Sequence, residues 1–109
     1  MKDSDCLLAY VTMPDRESAG TFCETLVRER LAACANIVDR VSSIYWWQGE
    51  LENEEECACL FKTTRERFPA FKARAMETHP YDVPCIVAWP LAAGNDAFFN
   101  WIRSETTPR

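Results

Sequence analysis

Histidine and glycine are scarce in this chain: one histidine, His79, and three glycines in 109 residues. A lone histidine cannot supply the paired imidazoles of a His-x-x-x-His metal site. No Cys-x-x-Cys, phosphate-binding Gly-x-x-x-x-Gly-Lys, Gly-x-Gly-x-x-Gly or Gly-x-Ser-x-Gly pattern occurs either. Basic excess is also missing. The net charge of −5 argues against a general nucleic-acid binder, which carries a basic stripe. No apolar run approaches the ~20 residues that span a bilayer. The opening MKDSDC lacks the charged-then-apolar pattern of an export signal, so cytoplasmic residence is the expectation.

What the chain does have is 48% apolar residues, 27% charged residues and six cysteines. Those proportions fit one globular domain spanning residues 1–109. The cysteines fall inside apolar runs rather than polar loops, which reads as reduced, mostly buried thiols instead of a disulfide framework.

The segment CLLAYVTM (6–13) is continuous and apolar, as in a buried strand. Pro14 stops it and Asp15 can cap a helix. Phe22, Cys23, Leu26, Val27 and Leu31 then recur at helical steps, predicting a helix over 15–31. Two strand-like arms follow, 36–47 and 51–63, joined near Gly49. In the second arm Glu56, Ala58, Leu60 and Lys62 share one face, while Cys57, Cys59, Phe61 and Thr63 share the other. A second helix is expected over 65–78 with Phe68, Phe71 and Ala75 inward, closed by Pro80. PCIVAWPL reads as a last strand and NDAFFNWIRSE as a terminal helix capped by Asn95 or Asp96. The order β-α-β-β-α-β plus a short C-terminal helix predicts an α+β, ferredoxin-like sandwich with a long β2–β3 hairpin.

Helices on one side leave the opposite sheet face bare. SIYWWQ puts Tyr45 and Trp47 on one side of the hairpin and Ile44 and Trp46 on the other, more apolar surface than two modest helices can cover. Self-association is the residues' own suggestion; an unusually aromatic monomeric core is the alternative.

VTMPD (11–15), RLAACANI (30–37), SIYWWQGELENEEE (43–56), FKTT (61–64), HPYDVP (79–84) and FNWI (99–102) stand in the order found in the CutA family of divalent-cation tolerance proteins. The chain resembles that family over nearly its whole length. The resemblance implies a compact homotrimer whose long hairpins join sheets between subunits; the missing catalytic motifs set the expectation of no enzymatic activity and no required cofactor. Copper or another divalent cation is the ligand it suggests. It also implies intersubunit clefts lined by counterparts of Tyr45, Trp47, Glu56, Lys62, Tyr81 and Asp82. A likeness to the trimeric PII signalling proteins suggests the alternative of a small metabolite in those clefts; a structural assembly platform is a third reading.

His79 is the leading ligand candidate and Cys34 a second thiol. Val11 and Thr78 stand where some members carry a cysteine and a second histidine tied to copper. Cys57 and Cys59, a Cys-x-Cys pair ~7 Å apart along one strand face, read as packing beside Phe61. His79 with Asp82 could form a base and its orienting carboxylate, but no nucleophile accompanies them, and a rigid turn explains HPYDVP as well. Glu56 and Lys62 could equally be a cross-strand ion pair.

Overall fold

A computed structural model describes residues 4–108. Met1–Asp3, part of the stretch judged unlike an export signal, lie outside the described residues. The elements run β1 (Cys6–Met13), α1 (Arg16–Arg28), β2 (Cys34–Trp47), β3 (Glu50–Thr64), α2 (Phe68–Thr78), β4 (Ile86–Pro90) and α3 (Asp96–Glu105). The strands form one antiparallel sheet in the order β2-β3-β1-β4. This is the ferredoxin-like arrangement expected from the element order.

Asp15 caps α1, its Oδ1 accepting the Ser18 N–H at 2.8 Å. The helix ends three residues earlier than its apolar periodicity predicts. Arg30 adopts φ 63°, the Arg30 N–H donates to the Val27 carbonyl, and the Leu31 N–H donates to that of Leu26, both at 3.0 Å. These are the two bonds of a Schellman cap, with arginine in the left-handed position that glycine favours. Leu31 stays buried beyond the helix end, which is why periodicity alone overran it. α2 likewise starts at Phe68 rather than 65, because the Thr64 hydroxyl accepts the Arg67 N–H at 3.2 Å and holds a turn there.

Alternation then sorts the sheet. Ala9, Val11 and Met13 of β1 meet Phe61, Cys59 and Cys57 of β3 in register. Together with Phe22, Cys23 and Leu26 of α1 and Phe71 and Ala75 of α2 they form the main core. Three aromatic rings tie it: Phe61 packs edge-on against Phe22 at 6.0 Å and against Phe71 at 5.0 Å.

The other sheet face is only partly bare. α3 buries Ile102 against Cys6 and Ala33 at one end, and Arg103 forks onto Asp5 at 2.7 and 2.9 Å. Beyond α3, the side chains of Val38, Val87 and Trp89 remain exposed.

The β2–β3 hairpin reaches past both helices. Its tip is a two-residue turn in which Gln48 (φ 50°) and Gly49 (φ 82°) both lie in the left-handed region, between the paired Trp47 and Glu50. That is the turn whose twist matches a hairpin. Lower down, Asp39 and Arg40 (φ 59°) together oppose Cys57, a bulge between the Val38–Ala58 and Val41–Glu56 pairs. Exposed apolar residues crowd the far end: Trp46 is 73% accessible, Ile44 66% and Leu51 60%.

Candidate functional site

The bulge re-phases β2, so Tyr45 and Trp47 fall on the same face as the even-numbered residues of β3. Tyr45 pairs with Glu52 and Trp47 with Glu50, and Glu54 and Glu56 continue that face inward. The loop after α2 swings Tyr81, Asp82 and Val83 over it. The result is a recess of about 320 Å³ lined by Tyr45, Trp47, Glu56, Tyr81, Asp82 and Val83.

Glu56 is the buried charge at this place, with 7% of its surface accessible. Its Oε2 accepts the Tyr81 hydroxyl at 2.9 Å. Burial, then the bond to Glu56, pushes the Tyr81 phenol well above its usual value, so the hydroxyl stays protonated and a donor. Tyr45 is also raised, by desolvation and then by Glu54, Glu56 and Glu52, which records the negative field along this face.

Lys62 is not part of the recess. Its Nζ bonds the Asn36 side chain. The Glu56–Lys62 ion pair weighed from the sequence does not form, since both residues stand on β3 and each has another partner. Val83 was missed; it lies in a loop where no periodicity reports which way a side chain points.

His79 is 9% accessible and caps the C-terminal end of α2. Its Nε2 lies 2.8 Å from the Thr12 carbonyl, and its Nδ1 accepts the Tyr81 N–H at 3.1 Å. The ring stands edge-on to Phe22 and tilted against Tyr81. Asp82 is not its partner, so the His–Asp dyad is absent. Both nitrogens serve the fold, positioning the Tyr81 backbone at the recess.

Several thiols are also engaged within the fold. Cys57 donates to Asp39 Oδ1 at 3.2 Å, and burial, then Asp39, raises it to about 11. A hydrogen bond with Cys59, then burial, pushes Cys23 far up. Cys34, half-buried, pairs in register with Lys62 on the open face. Among the described residues, no three His, Cys, Asp or Glu side chains gather where they could hold a metal ion. The donor set of one chain therefore does not fit copper or zinc.

Sheet order, the pairing of α1 and α2 on one face and the recess define a ferredoxin-like protein with a ligand-sized concavity on its hairpin side. The family model described as "CutA1 divalent ion tolerance protein" matches residues 7–105. The chain is 49% identical over 99 residues to the divalent-cation tolerance protein CutA of Thermus thermophilus, covering 91% of this chain and 96% of that protein. It is 38% identical to the Pyrococcus horikoshii protein of that name, covering 92% and 97%. Among solved structures, CutA from Xylella fastidiosa superposes with a TM-score of 0.92 at 36% identity, covering 95% of this chain and 100% of that one. This chain belongs to the CutA family of divalent-cation tolerance proteins.

Proposed function

We propose that the protein is a non-enzymatic binding module that works as a homotrimer and takes a small ligand at the Tyr45–Trp47–Glu56–Tyr81–Asp82 recess, where neighbouring copies meet. The observation that carries this reading is the convergence of a buried carboxylate and three aromatic side chains on one concavity. The exposed apolar set on the same hairpin supports assembly. Burying one such side chain contributes about 1.5–3 kcal/mol. Ile44, Trp46 and Leu51 there, with Val87 and Trp89 of neighbouring β4, are 45–73% accessible, so covering them contributes several kcal/mol against the ~4–15 kcal/mol cost of association.

Response to divalent cations is what the family's description adds, and this chain takes that reading from its relatives. Copper binding within one subunit has no support from its donors; a copper site would need groups from a second copy. The PII-like alternative, a regulatory trimer with a metabolite in its clefts, agrees with the same recess.

Six free thiols favour a reducing compartment, hence the cytoplasm. Among the described residues no helix is long and apolar enough to cross a membrane, although a relative from Archaeoglobus fulgidus is called periplasmic.

Light scattering and native mass spectrometry of the untagged protein test the proposal. The expected result is a trimer that Trp46→Glu and Leu51→Glu dissociate. A monomer at micromolar concentration would overturn it.

A further inference from the structure

The recess is not chemically neutral. Its lining offers two carboxylates, Glu56 and Asp82, three aromatic rings and Val83, and no basic side chain. Lys62, the nearest lysine along β3, is held by Asn36. Glu50, Glu52, Glu54 and Glu56 all project from the hairpin face that carries Tyr45 and Trp47.

Glu56 carries the decisive detail. A carboxylate this buried needs compensation. Tyr81 supplies one hydrogen bond, to Oε2; among the described residues Oε1 receives none. Both Glu56 and Tyr81 line the recess, so a ligand there meets a carboxylate whose only protein hydrogen bond among the described residues comes from Tyr81.

Each ligand class meets this wall differently. An anion, such as a nucleotide phosphate, finds carboxylates and no counter-charge. A bare divalent cation finds too few oxygens and no nitrogen or sulfur donor. A neutral apolar molecule would displace water from the carboxylates and offer them no hydrogen bond in return. An ammonium or guanidinium group on a short apolar body fits both needs: it completes Glu56 and lies against indole and phenol faces, which attract cations.

We infer that the recess is selective for small organic cations, primary ammonium or guanidinium groups carried on an apolar stem. This rests on the recess being the ligand site proposed above, and it narrows the metabolite reading away from phosphorylated compounds.

The test titrates n-butylammonium, n-butylguanidinium, n-butanol, butyrate and adenosine monophosphate into the ¹⁵N-labelled protein, following the Trp47 indole N–H. The two cations are expected to shift that resonance saturably, with affinity that falls as salt is added. Butanol should bind at least tenfold more weakly, and the two anions should leave the resonance unmoved. Glu56→Gln, which keeps an acceptor for Tyr81, should weaken cation binding about tenfold. Asp82→Asn, at an exposed position, should weaken it in the same direction and serves if Glu56→Gln fails to fold.

Butanol or the nucleotide matching the cations at Trp47 would overturn the charge selectivity while leaving the recess as the site. No response of Trp47 to any probe would overturn both. Cation binding that is unchanged in Glu56→Gln and Asp82→Asn would overturn the role given to the carboxylates.

Discussion

The Nε2 of His79 lies 2.8 Å from the carbonyl oxygen of Thr12, and that contact fixes the state of the ring. A carbonyl only accepts, so Nε2 carries a proton and donates it. Nδ1 accepts the Tyr81 N–H and is therefore bare. The histidine is a neutral Nε2–H tautomer joining β1 to the loop that forms the recess. A metal could take neither nitrogen without breaking one of these bonds.

Replacing His79 by glutamine should therefore cost stability rather than metal affinity. Each lost hydrogen bond in a buried setting costs about 1–3 kcal/mol, so with two bonds disturbed a drop of about 2–6 kcal/mol is expected in denaturant unfolding. Titrations of Cu(I), Cu(II) and Zn(II) should give the same affinities for wild type and His79→Gln. A selective loss of copper affinity in the variant would return His79 to the role of ligand. Nitrogen NMR of the wild-type ring provides a direct check, with Nε2 protonated and Nδ1 not.

Periodicity exposed most of this fold and little of the histidine's role. The alternation in ECACLFKT is enough to put Phe61 and Cys59 on one face of the strand and Glu56 on the other. It could not reveal that the face outside the helices is roofed by residues 81–83, because a loop's path depends on tertiary contacts such as His79 to Thr12. Helix ends failed for a related reason. Leu31 keeps the apolar rhythm although Arg30 has already turned the chain. The α3 cover on Cys6 also depends on where a terminal helix docks, which its own amphipathicity leaves open.

The hairpin tip holds a correctable strain. Gln48 sits at φ 50°, a conformation that asparagine and glycine adopt with less penalty. Gln48→Asn should raise stability by about 0.3–1 kcal/mol. Its side chain is exposed and the recess lining does not include it. A thermal melt at fixed protein concentration reads the gain; a lower midpoint would show that the glutamine side chain makes a contact the backbone argument omits.

Acid should loosen α3 through Asp5. The Arg103 fork, as its first cause, holds the Asp5 carboxyl below its ordinary value. A depressed carboxylate contributes stability that is complete above its unfolded value, near ~3.9, and is lost as pH falls through the lower folded one. Both side chains are about half exposed, so the pair contributes less than ~1 kcal/mol. Amide exchange in α3 should be faster in Asp5→Asn than in wild type at neutral pH. The two should converge below the folded value of Asp5, and a difference that persists there would refute the linkage.

The same logic of occupied groups applies to sulfur. Cys6, Cys23, Cys57 and Cys59 are buried, while Cys85 is exposed and Cys34 intermediate. A thiol reacts as its thiolate. With Cys57 raised to about 11 by burial and by Asp39, only a very small fraction is ionised near neutrality. Brief alkylation of the native protein at pH 8 should therefore label Cys85 first and Cys34 more slowly, and should spare the other four until denaturant is added. Burial also raises Cys85, so its labelling should quicken as pH rises. Peptide mass mapping separates the six sites. Rapid native labelling of Cys57 would mean that the bulge at Asp39 and Arg40 opens readily, and Asp39→Asn would then accelerate it no further. If the bulge is closed, Asp39→Asn removes the negative charge that helps hold the thiol protonated, and labelling of Cys57 should become measurably faster at the same pH.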